Sequence, residues 1–244
     1  MIRQISAFAL LVMLLAASLP SRAGDSDISL PAGFGQTQFN TLVEELGTAV
    51  AYNPVAPAES MGITGFDLGV IVTGVELDEQ VWNQVVSDGS APSTLPLAKL
   101  VVRKGLPFGI DLGLNYTSVP DSNVKIVGGE VRKSLLEGST VLPAISLSLH
   151  TSSLDGVDDL DIKTYGVDVG VSKGFAIFTP YAAVGQLWVE GEEKLALLDL
   201  KKYDDSMTRS NAGVKVGLMP MMSLTLQADF AETNSYNVKL SLDF

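Results

Sequence analysis

The only histidine of the chain, His150, forms the one pairing of residue types that could carry out acyl transfer. It lies two residues before Ser152, in a stretch that alternates polar and apolar residues. Side chains two apart in a strand project from one face, so a histidine base would stand beside a serine nucleophile. The alternation turns both toward the polar face, whereas a lipid hydrolase should present them to lipid. We therefore interpret His150 as an ordinary interior residue, with hydrolysis as a distant alternative.

The composition excludes several kinds of catalytic site, metal site and partner. The chain has no cysteine, which excludes disulfides, thiolate catalysis and cysteine-ligated metals. A metal site would need to consist almost wholly of carboxylates, so we predict neither a metal nor another cofactor. The chain has 16 Lys+Arg against 28 Asp+Glu, a net charge of −12, so nucleic acid is not an expected partner.

The first 23 residues have the pattern of a cleaved secretory signal peptide. Arg3 is followed by an apolar stretch from Ile5 to Leu19, which is too short to span a membrane comfortably. Ser21 and Ala23 place small residues at positions −3 and −1 of a cut after Ala23. We predict export, with an uncleaved membrane anchor as the alternative.

A period of two continues to the last residue. The same alternation of apolar and polar residues recurs in several segments, including 66–73, 110–117, 167–172, 224–231 and 236–244. These segments run about 10–14 residues, which exceeds ordinary strands of roughly 5–6 and suits tilted spanning strands of roughly 9–11. Charges on one face with Leu, Val and aromatics on the other indicate a transmembrane barrel with a polar lumen. A soluble periplasmic sandwich is the alternative.

Eight charged residues on the polar face are expected to line that lumen and to pair with one another. They are Asp67, Lys99, Arg103, Asp111, Asp168, Lys215, Asp229 and Lys239. Trp82 and Trp188 are expected in the outer interfacial belt, where indole rings lie half in water.

The last strand resembles the closing strand of Gram-negative outer-membrane β-barrel proteins, which ends in a terminal Phe recognised by their assembly machinery. The apolar positions of this assembly signal are Tyr236, Val238, Leu240, Leu242 and Phe244. The resemblance covers the chain from about Gly62 and identifies no subfamily. It implies location in the outer membrane, contact with outer-membrane lipid and lipopolysaccharide, and insertion by the assembly machinery.

We predict an all-β fold, an antiparallel transmembrane β-barrel of about ten strands over residues 62–244, with 8 or 12 as alternatives. Single-chain bacterial barrels have even strand numbers. The short connections fall at one end, taken as periplasmic, and the long connections 76–94 and 191–206 fall at the outer end. Residues 24–61 would be a periplasmic segment with a short helix at about 36–52, in the periplasmic mouth or inside the lumen.

Two function classes stay open. The barrel is either a narrow channel for small polar or amphipathic solutes, or a structural or adhesive barrel whose loops meet partners or lipopolysaccharide. His150 and Ser152 resemble the motif of outer-membrane lipid A deacylases, and His150 with Asp155, Asp158 and Asp159 is similar to outer-membrane aspartyl-type proteases. The opening Gly33-Phe34 and the run 46–49 are faintly similar to the start of FadL-type fatty-acid channels, and no function is transferred from them.

Overall fold

A computed structural model describes residues 30–31, 33–86, 91–119, 123–194 and 200–244. The predicted signal peptide lies outside the described residues, as do residues 87–90 and 195–199 of the two long predicted connections. Cleavage after Ala23 stays a prediction.

The described chain contains two α-helices and ten strands. Each strand is long enough to span a bilayer at a tilt. The helices are α1 (Gln36–Val50) and α2 (Glu79–Val85), and a single 3-10 turn covers Pro107–Gly109. The strands are β1 (Phe66–Glu76), β2 (Thr94–Leu106), β3 (Ile110–Ser118), β4 (Lys125–Leu136), β5 (Ala144–Asp155), β6 (Leu160–Ser172), β7 (Phe178–Glu193), β8 (Tyr203–Met219), β9 (Met222–Phe230) and β10 (Ser235–Asp243).

All ten strands pair antiparallel with their sequence neighbours, and β1 pairs with β10 to close the barrel. Phe66 and Phe244 seal this seam: the Phe244 N–H donates to the Phe66 carbonyl at 2.9 Å, and the two rings stack 5.6 Å apart. A closed barrel has no unpaired strand edge. The prediction of a ten-stranded antiparallel barrel with a short N-terminal helix is confirmed.

The outer wall is apolar and the inner wall carries the charges. Exposed aromatic residues lie near both ends: Tyr116, Tyr165, Trp188 and Tyr236 toward the long connections (the loop end), and Phe108, Phe175, Phe178 and Phe244 toward the short ones (the turn end). From Tyr236 to Phe244 the wall rises roughly 20 Å, at about 3.3 Å per residue and a tilt of about 40°. This band of aliphatic residues between aromatic girdles is the surface of a transmembrane barrel.

In the described part of the chain, the helices are all too short or too polar to cross a bilayer.

Helix α1 lies inside the barrel. Its start is held by the Gln38 side chain, which accepts a hydrogen bond from the Gly35 N–H at 2.8 Å. Its apolar residues Phe39, Leu42 and Val43 are fully buried against the inner wall. The sequence left open whether this helix lies in the periplasmic mouth or inside the lumen. In the structure it lies inside the lumen, near the loop end. Residues 51–62 then cross the lumen toward the turn end, where β1 begins.

Candidate functional site: an occupied lumen

The turn-end half of the interior (the lower lumen) contains a network of buried charges centred on Arg103. Its guanidinium lies 3.9 Å from Asp67, 3.7 Å from Asp111 and 3.6 Å from Glu130. Lys239 Nζ donates to Asp67 Oδ2 at 2.6 Å. All five side chains are buried. Because isolated ions are costly away from water, such groups are retained only in mutual contact.

Arg132 joins this network to the N-terminal segment. Its guanidinium lies 2.9 Å from Glu130 Oε1 and donates to the Ser148 hydroxyl at 3.2 Å. A second N–H of Arg132 donates to the carbonyl of Pro57 at 2.6 Å. One buried cation therefore binds both the barrel wall and the crossing segment.

Arg209 forms a similar bridge at the middle of the lumen. It donates to both carboxylate oxygens of Asp168, at 3.0 Å for Oδ1, and to the Tyr52 carbonyl at 3.2 Å. His150 Nε2 lies 3.1 Å from Asp168 Oδ2 and 2.6 Å from Arg209 Nη2. The Tyr52 ring stacks on the His150 ring with centroids 6.1 Å apart.

Lys99 and Asp229 have no ionic partner within 4 Å among the described residues. Lys99 Nζ donates to the carbonyl of Ala49 at 2.9 Å. Asp229 instead accepts from neutral donors: Asn53 Nδ2 at 2.8 Å, Gln227 Nε2 at 2.7 Å, and also Ser235 and Asn237. The N-terminal segment thus supplies a partner to each of these two charges.

Seven of the eight residues predicted to line the lumen therefore fall into three groups. Asp67, Arg103, Asp111 and Lys239 lie in one network, Asp168 lies in the Arg209 bridge, and Lys99 and Asp229 contact the N-terminal segment. Lys215 lies apart at the turn-end mouth, where it is partly exposed and pairs with Asp243 at 2.9 Å.

Inward-facing glycines make room for these side chains. A Cβ at Gly113 would overlap the Tyr52 hydroxyl, and a Cβ at Gly166 would overlap the His150 ring. The cavity beside Pro54, Arg132 and Tyr181 measures about 20 Å³, roughly the room of one water. A larger, open pocket of about 470 Å³ lies at the turn end of β7 and β8. The lumen around Pro54 is therefore nearly filled.

The loop-end half of the interior (the upper lumen) is apolar, unlike the polar lumen that the sequence predicts. Helix α1 shares one apolar cluster there with inward side chains of seven strands: Val75, Leu97, Ile126, Leu154, Ile162, Leu187, Val189 and Met207. The fit is close in two places, where Gly47 of the helix faces Val189 and Gly191 of β7 faces Val43.

The two tryptophans lie in different environments. Trp188 is exposed on the outer wall at the loop end. The prediction that Trp82 lies in the membrane interface is wrong, because it is buried under α1 and its indole N–H donates to Glu45. Helix α2, which carries Trp82, folds inward because Glu45 also accepts from the Asp78 N–H at 2.8 Å.

The arrangement does not bring His150 and Ser152 together as a base and a nucleophile. His150 Nε2 is occupied by Asp168 and Arg209, and within the described residues neither His150 Nδ1 nor the Ser152 hydroxyl has a hydrogen-bond partner. Both side chains are buried inside the barrel. The described residues also contain no group of three or more His, Cys, Asp and Glu able to hold a metal ion.

The loop end is strongly acidic. Glu190 on β7 pairs with Lys202 at 2.8 Å, and this hydrogen bond raises the pKa of the exposed Lys202 ammonium. Other acids at this end carry no ionic partner within 4 Å in the described chain, among them Glu192, Asp204 and Asp205. This surface is solvated and negative.

No family model matches the chain, and neither does any curated protein. The chain shows a low similarity to a number of solved structures. Three of them are Ail, the attachment invasion locus protein of Yersinia pestis (13% identity, 78% of this chain and 100% of that chain, TM-score 0.34), the KdgM porin (8%, 74% and 99%, 0.35), and OmpT, an outer membrane protein of Vibrio cholerae (10%, 81% and 73%, 0.36). The type of fold follows from the structure rather than from these scores. The pairing of β1 with β10 closes the barrel, and the polar residues face its interior while the apolar residues face outward. The chain is a β-barrel of the outer-membrane type.

Three charged residues of the site were not among the sequence candidates, namely Glu130, Arg132 and Arg209. Glu130 and Arg132 alternate in phase on β4, so the period that identified the other lumen residues also applies to them. Tyr52 and Asn53 carried no such signal, because no periodicity shows which wall a crossing segment will contact.

Proposed function

We propose that this protein is an outer-membrane transporter for small polar or amphipathic solutes, closed at rest by its own N-terminal segment. The observation that carries the proposal is that the barrel wall is complete without this segment. Every strand pairs on both sides with other strands. Among the described residues, no main-chain to main-chain hydrogen bond joins residues 33–62 to a strand. The segment is therefore a separable plug rather than a part of the wall.

The inner wall supports the same proposal. A ten-stranded barrel without a passage would fill its interior with its own side chains. Here the wall has glycine at inward positions such as Gly105, Gly113 and Gly191, where a Cβ would meet Gly62, Tyr52 and Val43 of the N-terminal segment. An apolar upper lumen above a charged lower lumen suits solutes that have both kinds of surface.

Location in the outer membrane is part of the proposal. The apolar outer belt, the aromatic girdles and the terminal Phe244 support it, as do the predicted signal peptide and assembly signal. Contact with outer-membrane lipid and lipopolysaccharide and insertion by the assembly machinery follow from it. Membrane fractionation with a heat-modifiability gel tests it: a soluble protein that migrates identically boiled and unboiled would refute it.

A reversible lock tests transport. The chain has no cysteine, so the pair Gly47→Cys and Val189→Cys can tether α1 to β7. A Cβ at Gly47 lies 3.2 Å from Val189 Cβ, near the range for a disulfide. We expect liposomes containing the full-length variant to swell in small solutes when it is reduced, because the untethered segment leaves the lumen part of the time, and not when it is oxidised. Equal swelling with the oxidised and the reduced protein, or no swelling with either, would refute a gated passage.

The acidic loop end favours a second candidate, a barrel that acts through its surface. Glu192, Asp204 and Asp205 form an exposed negative face on the β7–β8 hairpin. The absence of flux in both redox states, together with Mg²⁺-dependent binding of lipopolysaccharide, would favour this candidate over transport.

A further inference from the structure

The last turn of α1 and the crossing segment, residues 51–62, are held in the lumen by hydrogen bonds to their main chain. Five buried side chains of the wall bond backbone groups at positions spread along them. The bonds are Lys99 to the Ala49 carbonyl (2.9 Å), Arg209 to the Tyr52 carbonyl (3.2 Å), Arg132 to the Pro57 carbonyl (2.6 Å), the Ala58 N–H to the Ser172 hydroxyl (3.1 Å), and the Met61 N–H to Asp111 (3.2 Å). The three cationic side chains donate to carbonyls, and the Ser172 hydroxyl and the Asp111 carboxylate accept from amide N–H groups.

Two side chains of the segment also pack against the wall, since the Tyr52 ring stacks on His150 and Val55 is fully buried in a cluster with inward residues of β1 and β2. Much of the segment carries small or apolar side chains, including Pro54, Ala56 and Ala58, which make no side-chain hydrogen bonds. Asn53 is the exception, since it bonds Asp229 and Gln227. The wall therefore offers donors to three carbonyls, at positions 49, 52 and 57, and acceptors to two N–H groups, at positions 58 and 61, and these are groups that peptides carry whatever their sequence.

The wall also has polar groups that the segment leaves unused. Within the described residues, the side chains of Asn115, Thr117, Ser152 and Thr164 lack hydrogen-bond partners, and each is more than nine-tenths buried. Asn115, Ser152 and Thr164 lie in register across β3–β6, with Gly128 between the first two. A buried polar group without a partner is costly, so this row is suited to further hydrogen bonds from a bound molecule or ordered water.

We propose that the lumen is a binding site for a short oligopeptide, recognised through its main chain in the place that residues 49–61 occupy at rest. This rests on the proposed function to the extent that the N-terminal segment must be able to leave. A sugar or a polyol offers hydroxyl groups but no regular series of carbonyl and amide groups. The solute class implied by the wall is therefore the short peptide.

Photolabelling of the full-length Gly47→Cys, Val189→Cys protein tests the site. The probe is hexa-alanine extended by one benzoylphenylalanine. It is used at about 10 mM, because the tethered segment competes at an effective concentration on the order of millimolar. Mass spectrometry locates the label. We expect labelling of inner-wall residues in the reduced protein and at least about tenfold less in the oxidised protein.

A matched probe makes the readout specific to main-chain recognition. N-methylation of two alanine amides in the probe should lower labelling about three- to tenfold, the usual effect of one or two lost hydrogen bonds. Equal labelling of the oxidised and reduced proteins, no labelling of the wall, or no effect of N-methylation would overturn the peptide site and leave the segment as a plug only. Specific labelling without solute flux would refute transport and retain the site.

Discussion

The two halves of the lumen hold the same N-terminal segment by opposite means. In the upper lumen, α1 buries Phe39, Leu42 and Val43 against aliphatic side chains. In the lower lumen and at its upper boundary, Arg132 and Arg209 hold the chain by charge-assisted hydrogen bonds to its carbonyls. Apolar contact is non-directional and lets a helix shift, whereas a buried ion loses its partner as soon as either group moves. We infer that the upper lumen adapts and the lower lumen sets the position of the segment.

The largest effect should come from removing the central cation of the lower lumen. Arg103→Met leaves Asp67, Asp111 and Glu130 near one another without their shared partner. Breaking a buried ion pair costs about 3–5 kcal/mol, so we expect a loss of that size in the free energy of unfolding, measured by urea titration in lipid vesicles. Arg103→Lys keeps the charge and should lose less. Equal stability of Arg103→Met and the wild type would contradict the network.

A smaller and more local effect is expected in the upper lumen. Leu42→Ala removes a fully buried side chain from α1 and should weaken its docking by about 2–3 kcal/mol. Amide hydrogen exchange should accelerate about 30- to 100-fold in α1, with β1–β10 unchanged, because the strands close without the helix. Equal acceleration in helix and strands would mean that the two halves unfold as one unit.

A modest effect is expected at His150. His150→Ala leaves the contact between Arg209 and Asp168 in place, so stability should fall by only about 1 kcal/mol. Lipid A acylation in cells carrying the variant should match the wild type, because the histidine is buried away from lipid. A change in acylation, seen by mass spectrometry of lipid A, would reopen the hydrolase interpretation.

The smallest effect is expected outside the membrane. Lys202→Met removes the exposed ion pair with Glu190 at the loop end. Such pairs contribute little in water, so the unfolding midpoint and the swelling of vesicles should both stay at wild-type values. A clear shift in either would show that the loop end takes part in closing the lumen.

The strand pattern could be predicted from the sequence, because a wall with one polar and one apolar face requires the two kinds of residue to alternate along each strand. Tyr236–Phe244 and the other alternating segments show this period of two. The apolar upper lumen could not be predicted, because inward residues such as Val75 and Ile162 resemble the outward ones, and the period is lost where both faces are apolar. The spacing in 36–52 predicts a helix but not the wall that covers it. Trp82 was misassigned because a tryptophan in a loop can turn inward toward a buried acceptor such as Glu45.

The position of α1 inside the barrel is the central claim, and disulfide formation between Gly47→Cys and Val189→Cys measures it most directly. The readout is gel mobility of the full-length protein from intact cells, with and without reductant. We predict a rapid and near-complete crosslink for this pair and for Val43→Cys with Gly191→Cys, whose Cβ positions are also 3.2 Å apart. The control pair, Gly47→Cys with Trp188→Cys on the outer face, should not form one. Failure of both inner pairs in a folded barrel, or crosslinking of the control pair, would contradict the occupied lumen.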